Sequence, residues 1–343
     1  MRRFLALSLA VTLCAMMTAI CAAQSLPSPD APLMRTEFLL NTVVTVTLYE
    51  GGDAVALDAA FALCADLESQ LSRTTSGSDV YRINHAQGAP VKVGEACAAL
   101  LRAANNYGEL SGGALDITVE PLSALWDFTA NTPRVPDADA INEARAKVDY
   151  RQIRLSGDDI ARLPPGMGID LGAIAKGYIA DRIAQLLCEL GITSALINLG
   201  GDVRTVGGKP DGAPWRVGVK LPFAMEGELA GVAAVRALSV VTSGTYERGF
   251  ESGGVWYHHI MDTRTGYPAR SGLHSVTVIT ERALDGDALS TACFVLGARE
   301  GMALIDSLPG VEAVFVTEDM QAIMSRGILS GETVYQSLLD VAE

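Results

Sequence analysis

From Trp215 to Leu221 the chain alternates strictly. Trp215, Val217, Val219 and Leu221 are apolar, with Arg216, Gly218 and Lys220 between them. A period of two collects the apolar side chains on one face of a strand and leaves the other face to water. The pattern recurs at Val44, Val46 and Leu48, interleaved with Thr45, Thr47 and Tyr49. Strands with one polar face belong to antiparallel sheets covered by helices on one side, not to the doubly covered sheets of βαβ folds. Further strands are expected at Ala195–Leu199, Ser239–Thr242, Ser275–Thr280 and Glu312–Thr317. Leu57, Phe61, Cys64, Leu67 and Leu71 recur at helical spacing. Other helices are expected at about 95–110, stopping at Gly112-Gly113, from about Ile174 to Leu190, stopping at Gly191, and near 287–306. The order is mixed, no short repeat is present, and no flexible linker interrupts 34–330. The expected fold is therefore α+β, with mixed, largely antiparallel sheets and covering helices in one compact unit over 34–335.

The N-terminus reads differently. Arg2 and Arg3 precede an uncharged stretch from Phe4 through Ala23, the pattern of an export signal over 1–23. A Pro/Ser linker, QSLPSPDAPL, occupies 24–33. Two endings fit. Cleavage after Ala23 releases a soluble exported, periplasmic protein. Alternatively Thr18-Ala19-Ile20-Cys21 is a lipoprotein box that anchors Cys21 in the inner membrane, although Thr18 and Ile20 are poor residues for one. An uncleaved anchor is a third option. No later segment offers about 20 consecutive apolar residues, the length of a membrane span.

The chain has 343 residues, 49% hydrophobic and 19% charged, enough to bury a real core. Its 26 Lys and Arg against 40 Asp and Glu give −14. Without Arg2 and Arg3 the net charge is −16. Such a surface repels a phosphate backbone, so nucleic acid is not an expected partner; a local anion pocket remains open. Beyond the leader the cysteines are Cys64, Cys97, Cys188 and Cys293, with no CxxC pair and no His at zinc spacing. That argues against a metal cluster. Each sits in a helix-like apolar pattern, where a buried free thiol is expected.

Common phosphate and hydrolase templates are missing: GxxxxGK[ST], GxSxG and HExxH do not occur, and no GxGxxG follows Gly200-Gly201-Asp202. What remains is a set of Gly- and Asp-rich junctions. In Ile169-Asp170-Leu171-Gly172-Ala173-Ile174-Ala175-Lys176-Gly177-Tyr178, free N–H groups and an exposed carbonyl are expected at a helix start, with Lys176 placed to meet an anion. The plain alternative is an N-cap Asp170 with a solvated Lys176. In Asp285-Gly286-Asp287-Ala288-Leu289-Ser290-Thr291, Asp287 and Thr291 share a helix face and suit a hard cation such as Mg²⁺, or are a capping Asp and an ordinary Thr. The segment from His258 to Gly266, HHIMDTRTG, offers His259 as a base or phosphate donor, or is simply a hydrogen-bonded turn. Ser111 to Thr118 is a helix stop leading to a carboxylate, and Val241 to Tyr246 is a strand end rich in hydroxyls.

Taken together and in order, GGALDIT, IDLGAIAKGY, NLGGDV, VTSGTYER, HHIMDTRTG and GDALSTA resemble the ApbE family of FAD:protein FMN transferases, over Met34 to about residue 320. The resemblance implies an ApbE-like, T-fold-like unit in an exported protein. It implies an enzyme that takes FAD as substrate, needs a divalent metal such as Mg²⁺, and moves the FMN half to a Thr or Ser hydroxyl, releasing AMP. The implied partner is an acceptor flavoprotein subunit, for example of a membrane redox complex. By the same resemblance the metal ligands are the Ala173 carbonyl, Asp287 and Thr291. The FAD contacts are Met34, Ala114, Leu115, Asp116, Asp170, Lys176 and Ile260, and His259 is the catalytic histidine. The chain departs from the family pattern at Leu115, where Phe is usual, at Thr263, where Pro is usual, and at Thr74, where a flavin-covering aromatic often stands. Tyr81 or Tyr178 is a candidate substitute for that ring. Two rival readings use the same residues: an FAD pyrophosphatase, with water attacking, and a flavin binder without chemistry.

Overall fold

The computed structural model describes residues 31–225 and 227–342. The expected export signal and most of the 24–33 linker lie outside the described residues; Leu33 already belongs to the first strand. In chain order the elements begin with β1 (Leu33–Leu39), β2 (Thr42–Glu50), α1 (Ala54–Leu71), α2 (Asp79–His85), β3 (Val91–Lys92) and α3 (Glu95–Leu110). Then come α4 (Glu120–Trp126), α5 (Ala138–Arg145), β4 (Arg154–Ser156), β5 (Ile160–Arg162), α6 (Ala175–Glu189), β6 (Ser194–Leu199), β7 (Asp202–Val206) and β8 (Trp215–Lys220). β9 (Leu229–Val235), β10 (Ser239–Gly244), β11 (Gly249–Ser252), β12 (Val255–His258), β13 (Met261–Asp262), β14 (Tyr267–Pro268) and β15 (Leu273–Thr280) follow. The chain closes with α7 (Ala283–Ile305), β16 (Glu312–Thr317), β17 (Ala322–Met324), α8 (Arg326–Ser330) and β18 (Val334–Ser337).

An eight-stranded sheet in the order β1-β2-β6-β7-β10-β15-β16-β17 is the frame, and its neighbours pair antiparallel. Smaller antiparallel sheets join β18-β9-β8 and β3-β5-β4, with hairpins β11-β12 and β13-β14. The α+β, largely antiparallel architecture is as expected, in one compact unit from Leu33 onward. The unit extends past residue 335, because β18 pairs with β9 and Val341 bridges to Ala322.

The expectation of one covered face holds only in part. β8 buries Trp215, Val217 and Val219 and exposes the residues between them. The central strands are covered twice. Val276, Val278, Ala313 and Phe315 pack under α7, while Val240, Ile279, Val314 and Val316 pack against β8 and β9. A second sheet thus lies where water was expected, and the run Leu273–Thr280 is accordingly buried on both faces.

α6 and α7 set the site. Gly177 lies where the two helices touch: a Cβ there would stand 2.2 Å from the Ala283 carbonyl oxygen, so only glycine permits this approach. Each helix start is satisfied by the other helix. Asp181 of α6 accepts from the Ala283 and Leu284 amides at 2.9 and 3.0 Å. Asp287 of α7 accepts from the Gly177 amide at 3.0 Å. Free amides at a helix N-terminus carry partial positive charge, so a carboxylate is well placed at each. Among the described residues α7 alone is long and apolar enough to cross a membrane by length and composition. Here it lies in the core, and Gly297 (φ 81°, ψ 177°) breaks it.

Candidate active site

A cavity of about 410 Å³ opens where the starts of α6 and α7, the end of β10, the segment after α3 and the residue after β12 converge. Its lining includes Ala114, Leu115, Asp116, Asp170, Ala173, Lys176, His259, Ile260, Asp287 and Thr291. Segments more than 100 residues apart in sequence meet here. Met34 is not among the lining residues: it sits on edge strand β1 opposite Thr47, 64% exposed. From that hairpin it is the turn, Leu40 and Asn41, that reaches the cavity.

Asp287 is only 3% exposed. Its Oδ2 holds the Gly177 amide, and its Oδ1 lies 3.9 Å from the Lys176 ammonium. Burial raises its pKa and Lys176 opposes that rise. Lys176 is not a free surface cation: its side chain is 28% exposed and paired. It is the second residue of α6, and its ammonium is bonded to Asp202 Oδ2. Burial alone would lower its pKa, but Asp202, Asp287 and Glu247 together raise it. Asp202 is 4% exposed, and its Oδ1 accepts from the Thr242 amide at 3.1 Å. Burial pushes the Glu247 carboxyl up to about 7 against the pull of Lys176. Three carboxyl groups around one ammonium leave room for further positive charge.

Oxygen atoms that could take a cation line the same cavity. Gly177 gives its N–H to Asp287 rather than back along the chain to Ala173, so α6 begins without closing on the Ala173 carbonyl. Thr291 is oriented by a relay. Ser290 Oγ donates to the Asp287 carbonyl at 3.1 Å, which leaves it to accept from Ser243 Oγ at 2.8 Å. Ser243 Oγ then accepts from Thr291 Oγ1 at 3.1 Å. Each hydroxyl has a single proton, so the lone pairs of Thr291 stay free. A carbonyl, a carboxylate oxygen and a hydroxyl suit a hard divalent cation. Among the described residues no group of three His, Cys, Asp or Glu side chains could hold a metal without such oxygens.

The adjacent histidines divide their roles. His258 is buried; its Nε2 bonds the Ala269 carbonyl at 2.9 Å and its Nδ1 accepts from the Ile260 amide at 3.3 Å. It is structural. His259 lines the cavity, with Nδ1 3.3 Å from the Arg248 carbonyl. A carbonyl only accepts, so Nδ1 carries the proton and Nε2 keeps a lone pair. Burial, then Arg248, pushes the His259 pKa down to about 4, so the ring is neutral at neutral pH.

Other expectations change. Asp170 stands five residues before α6 and is not its cap; its Oδ1 accepts from the Gly172 amide at 2.9 Å and Arg73 approaches its Oδ2 at 3.4 Å. Asp116 lines the cavity, but its oxygens accept from the Thr118 amide and hydroxyl and from the Tyr150 amide. Thr263 Oγ1 bonds the Gly113 carbonyl at 3.4 Å, tying two cavity segments together. Neither proposed substitute for the missing ring reaches the cavity. Tyr81 stacks on His85, and Tyr178 is buried with its hydroxyl bonded to Arg182. Phe128, just beyond α4, does line it, stacked parallel to Trp126 at 5.7 Å. Cys64, Cys97 and Cys293 are buried free thiols, pushed up to about 12 by burial, whereas Cys188 is exposed on the outer face of α6.

Sequence reasoning gave no site role to Asp202, Ser243, Glu247 or Phe128, although the first three lie in segments it singled out. Asp202 follows a strand end at Gly200-Gly201, and this acid immediately after a Gly-Gly turn was the available signal.

The model of the ApbE family matches residues 40–315. A curated FAD:protein FMN transferase of Treponema pallidum is 39% identical over 315 residues, covering 86% of this chain and 87% of that protein. The crystal structure of the ApbE protein of Thermotoga maritima superposes with a TM-score of 0.82 at 34% identity, covering 88% of this chain and 99% of that one. The apo flavinyl transferase ApbE of Pseudomonas stutzeri gives a TM-score of 0.78 at 32% identity, covering 88% and 96%.

Proposed function

Because this chain belongs to the ApbE family, we propose that it is an FAD:protein FMN transferase which moves the FMN half of FAD onto a Thr or Ser hydroxyl of a target flavoprotein and releases AMP. The observation that carries this reading is the meeting of His259 with Asp287, Thr291 and Ala173 in one cavity. The acceptor hydroxyl oxygen bonds to the FMN-side phosphorus as the bond from that phosphorus to the bridging oxygen breaks. AMP leaves with the bridging oxygen, and the hydroxyl proton passes to His259 Nε2. A Thr hydroxyl is weakly acidic, so orientation and late proton removal matter more than a preformed alkoxide. Mg²⁺ held by the Ala173 carbonyl, Asp287 and Thr291 would neutralise the pyrophosphate and stabilise charge on the leaving AMP. Lys176 fixes Asp202 and Asp287 in place, and Arg73 and Arg248 add positive charge to the cavity wall. The basic and apolar start of the chain supports work outside the cytoplasm, in the periplasm or on a lipid anchor at Cys21.

Incubation with FAD, Mg²⁺ and a flavoprotein subunit, followed by mass spectrometry, tests this reading. An FMN adduct on the subunit with equimolar AMP is expected. Free FMN and AMP without adduct would identify a pyrophosphatase, and unchanged FAD a binder.

Phe128 is the expected replacement for the absent ring at Thr74. Removing one aromatic stacking partner costs ~1 kcal/mol. Phe128→Ala should therefore weaken FAD binding about 5- to 10-fold, read by quenching of flavin fluorescence, with little change in the rate at saturating FAD. Unchanged affinity would take Phe128 off the flavin.

A further inference from the structure

No step of the transfer uses Asp202, but its carboxylate meets the lysine that lines the cavity. Its position is set locally. Leu199 and Asp202 pair as the last residue of β6 and the first of β7, so Gly200 and Gly201 alone turn the chain. Both have positive φ, +68° and +104°, as a two-residue hairpin turn of this hand requires. Gly200 also passes so close to Thr42 that a Cβ would overlap its Oγ1. The Gly201 amide donates to Asn198 Oδ1 at 2.8 Å, which fixes the turn from within. A carboxylate leaving so tight a turn has little freedom, and Asp202 is only 4% exposed.

Both of its oxygens are engaged. Oδ1 accepts from the Thr242 amide at 3.1 Å, which ties it to β10, and Oδ2 holds the Lys176 ammonium. Asp287 is placed differently toward the same ammonium. Its Oδ2 is taken by the Gly177 amide, and its Oδ1 stands 3.9 Å from Lys176 Nζ, beyond hydrogen-bond reach. Asp287 Oδ1 is therefore the oxygen left for a cation. An ammonium that closed on it would neutralise the carboxylate and take the place of the divalent ion. Closing the gap needs a movement of about 1 Å, well within the play of a flexible four-carbon stem. The bond to Asp202 is what opposes that movement.

We propose that Asp202 is a positioning residue: it retains the Lys176 ammonium and so keeps Asp287 Oδ1 open to the divalent cation. This inference rests on the cation site of the transferase reading, and it gives the acid after the Gly-Gly turn a task in that site.

The probe is Mn²⁺ alone, titrated into the purified full chain and counted as free ion by electron paramagnetic resonance, so that no turnover is needed. Asp202→Asn keeps the size of the side chain and an oxygen for the Thr242 amide. It should weaken Mn²⁺ binding about 10-fold or more, the scale of losing a partner that orients a metal site. The double variant Asp202→Asn with Lys176→Met removes both charges together and leaves no buried ion unpaired. Its affinity should return to within about threefold of the original chain, because the two residues act as one unit. A crystal structure of Asp202→Asn should show the Lys176 ammonium bonded to Asp287 Oδ1. Unchanged Mn²⁺ affinity in Asp202→Asn overturns the proposal. A double variant as weak as Asp202→Asn also overturns it, as does an ammonium that stays beside residue 202 or turns to Glu247. Should the original chain bind no Mn²⁺, the cation site falls and the role of Asp202 with it. Binding that follows these expectations without any FMN adduct overturns the transferase reading and leaves the task of Asp202 standing.

Discussion

Asp287→Asn should lower FMN transfer by about 10³-fold at the Mg²⁺ concentration that saturates the unaltered enzyme, the scale of losing a group that stabilises charge in the transition state. Asn is preferable to Ala here. Asp287 is buried and accepts the Gly177 amide, so Ala would leave that amide and Lys176 short of a partner in the core. Asn keeps the size and an oxygen for Gly177 while removing the charge. Single-turnover transfer across a Mg²⁺ titration, alongside the melting temperature, is the measurement. Full activity at low Mg²⁺ would remove Asp287 from the metal site; a large fall in melting temperature would show that its work is holding α6 to α7.

His259→Ala should lower transfer by about 10²-fold or more while FAD affinity stays near its original value, the usual effect of losing a positioned base. If FAD affinity falls first and the rate recovers at saturating FAD, the ring orients the pyrophosphate and takes no proton. The pH profile supplies a second readout. If His259 takes the acceptor's proton, its neutral ring is the active form, and burial pushes its pKa down to about 4, so its contribution is lost as pH falls through that value, not near the ordinary 6.5. His259 should therefore contribute a limb of kcat/KM for FAD near pH 4, below the limb set by Asp287, whose carboxyl burial raises. A separate limb near pH 7 that vanishes in Glu247→Gln would belong to Glu247, whose carboxyl burial raises to about 7. The histidine shift also bears on stability. A lowered pKa means that the unfolded chain binds more protons between about pH 6.5 and 4, so the folded state loses stability as pH falls through that window. His258, buried and likewise pushed down to about 4, acts in the same direction.

How much of this was legible in the sequence depended on whether a residue's surroundings were local. The β8 alternation was legible because one face of that strand meets water. The β15 run read as a strand, but its second covering layer did not, since that layer comes from β8 and β9. α2, α4 and α5 span too few turns to show a period, and the β11–β14 hairpins are too short to alternate clearly. At the site, Asp287 and Thr291 were visible as one helix face. Ala173 entered only through family resemblance, because its carbonyl stands clear for a long-range reason, the diversion of the Gly177 amide. Lys176 was expected to meet an anion, and it lines the cavity while its ammonium holds the Asp202 carboxylate. That partner lies 26 residues away on another element, and nothing in the IDLGAIAKGY segment points to it. Phe128 was missed for the same reason: the cavity it lines is built from α4, residues 259–261 after β12 and the turn after β1.

The exchange of carboxylates between α6 and α7 also sets when the protein can become competent. Gly177 waits for Asp287, 110 positions later, and Asp181 waits for the Ala283 amide, 102 positions later. A chain made N-terminus first therefore holds α6 with its leading amide open until residues 283–305 have arrived. Closing so long a loop is the slow, late kind of contact in folding. Truncated and half-made chains lack Asp287, Thr291 and the helix clamp, so the cavity wall that these residues form is incomplete until the last fifth of the polypeptide is in place.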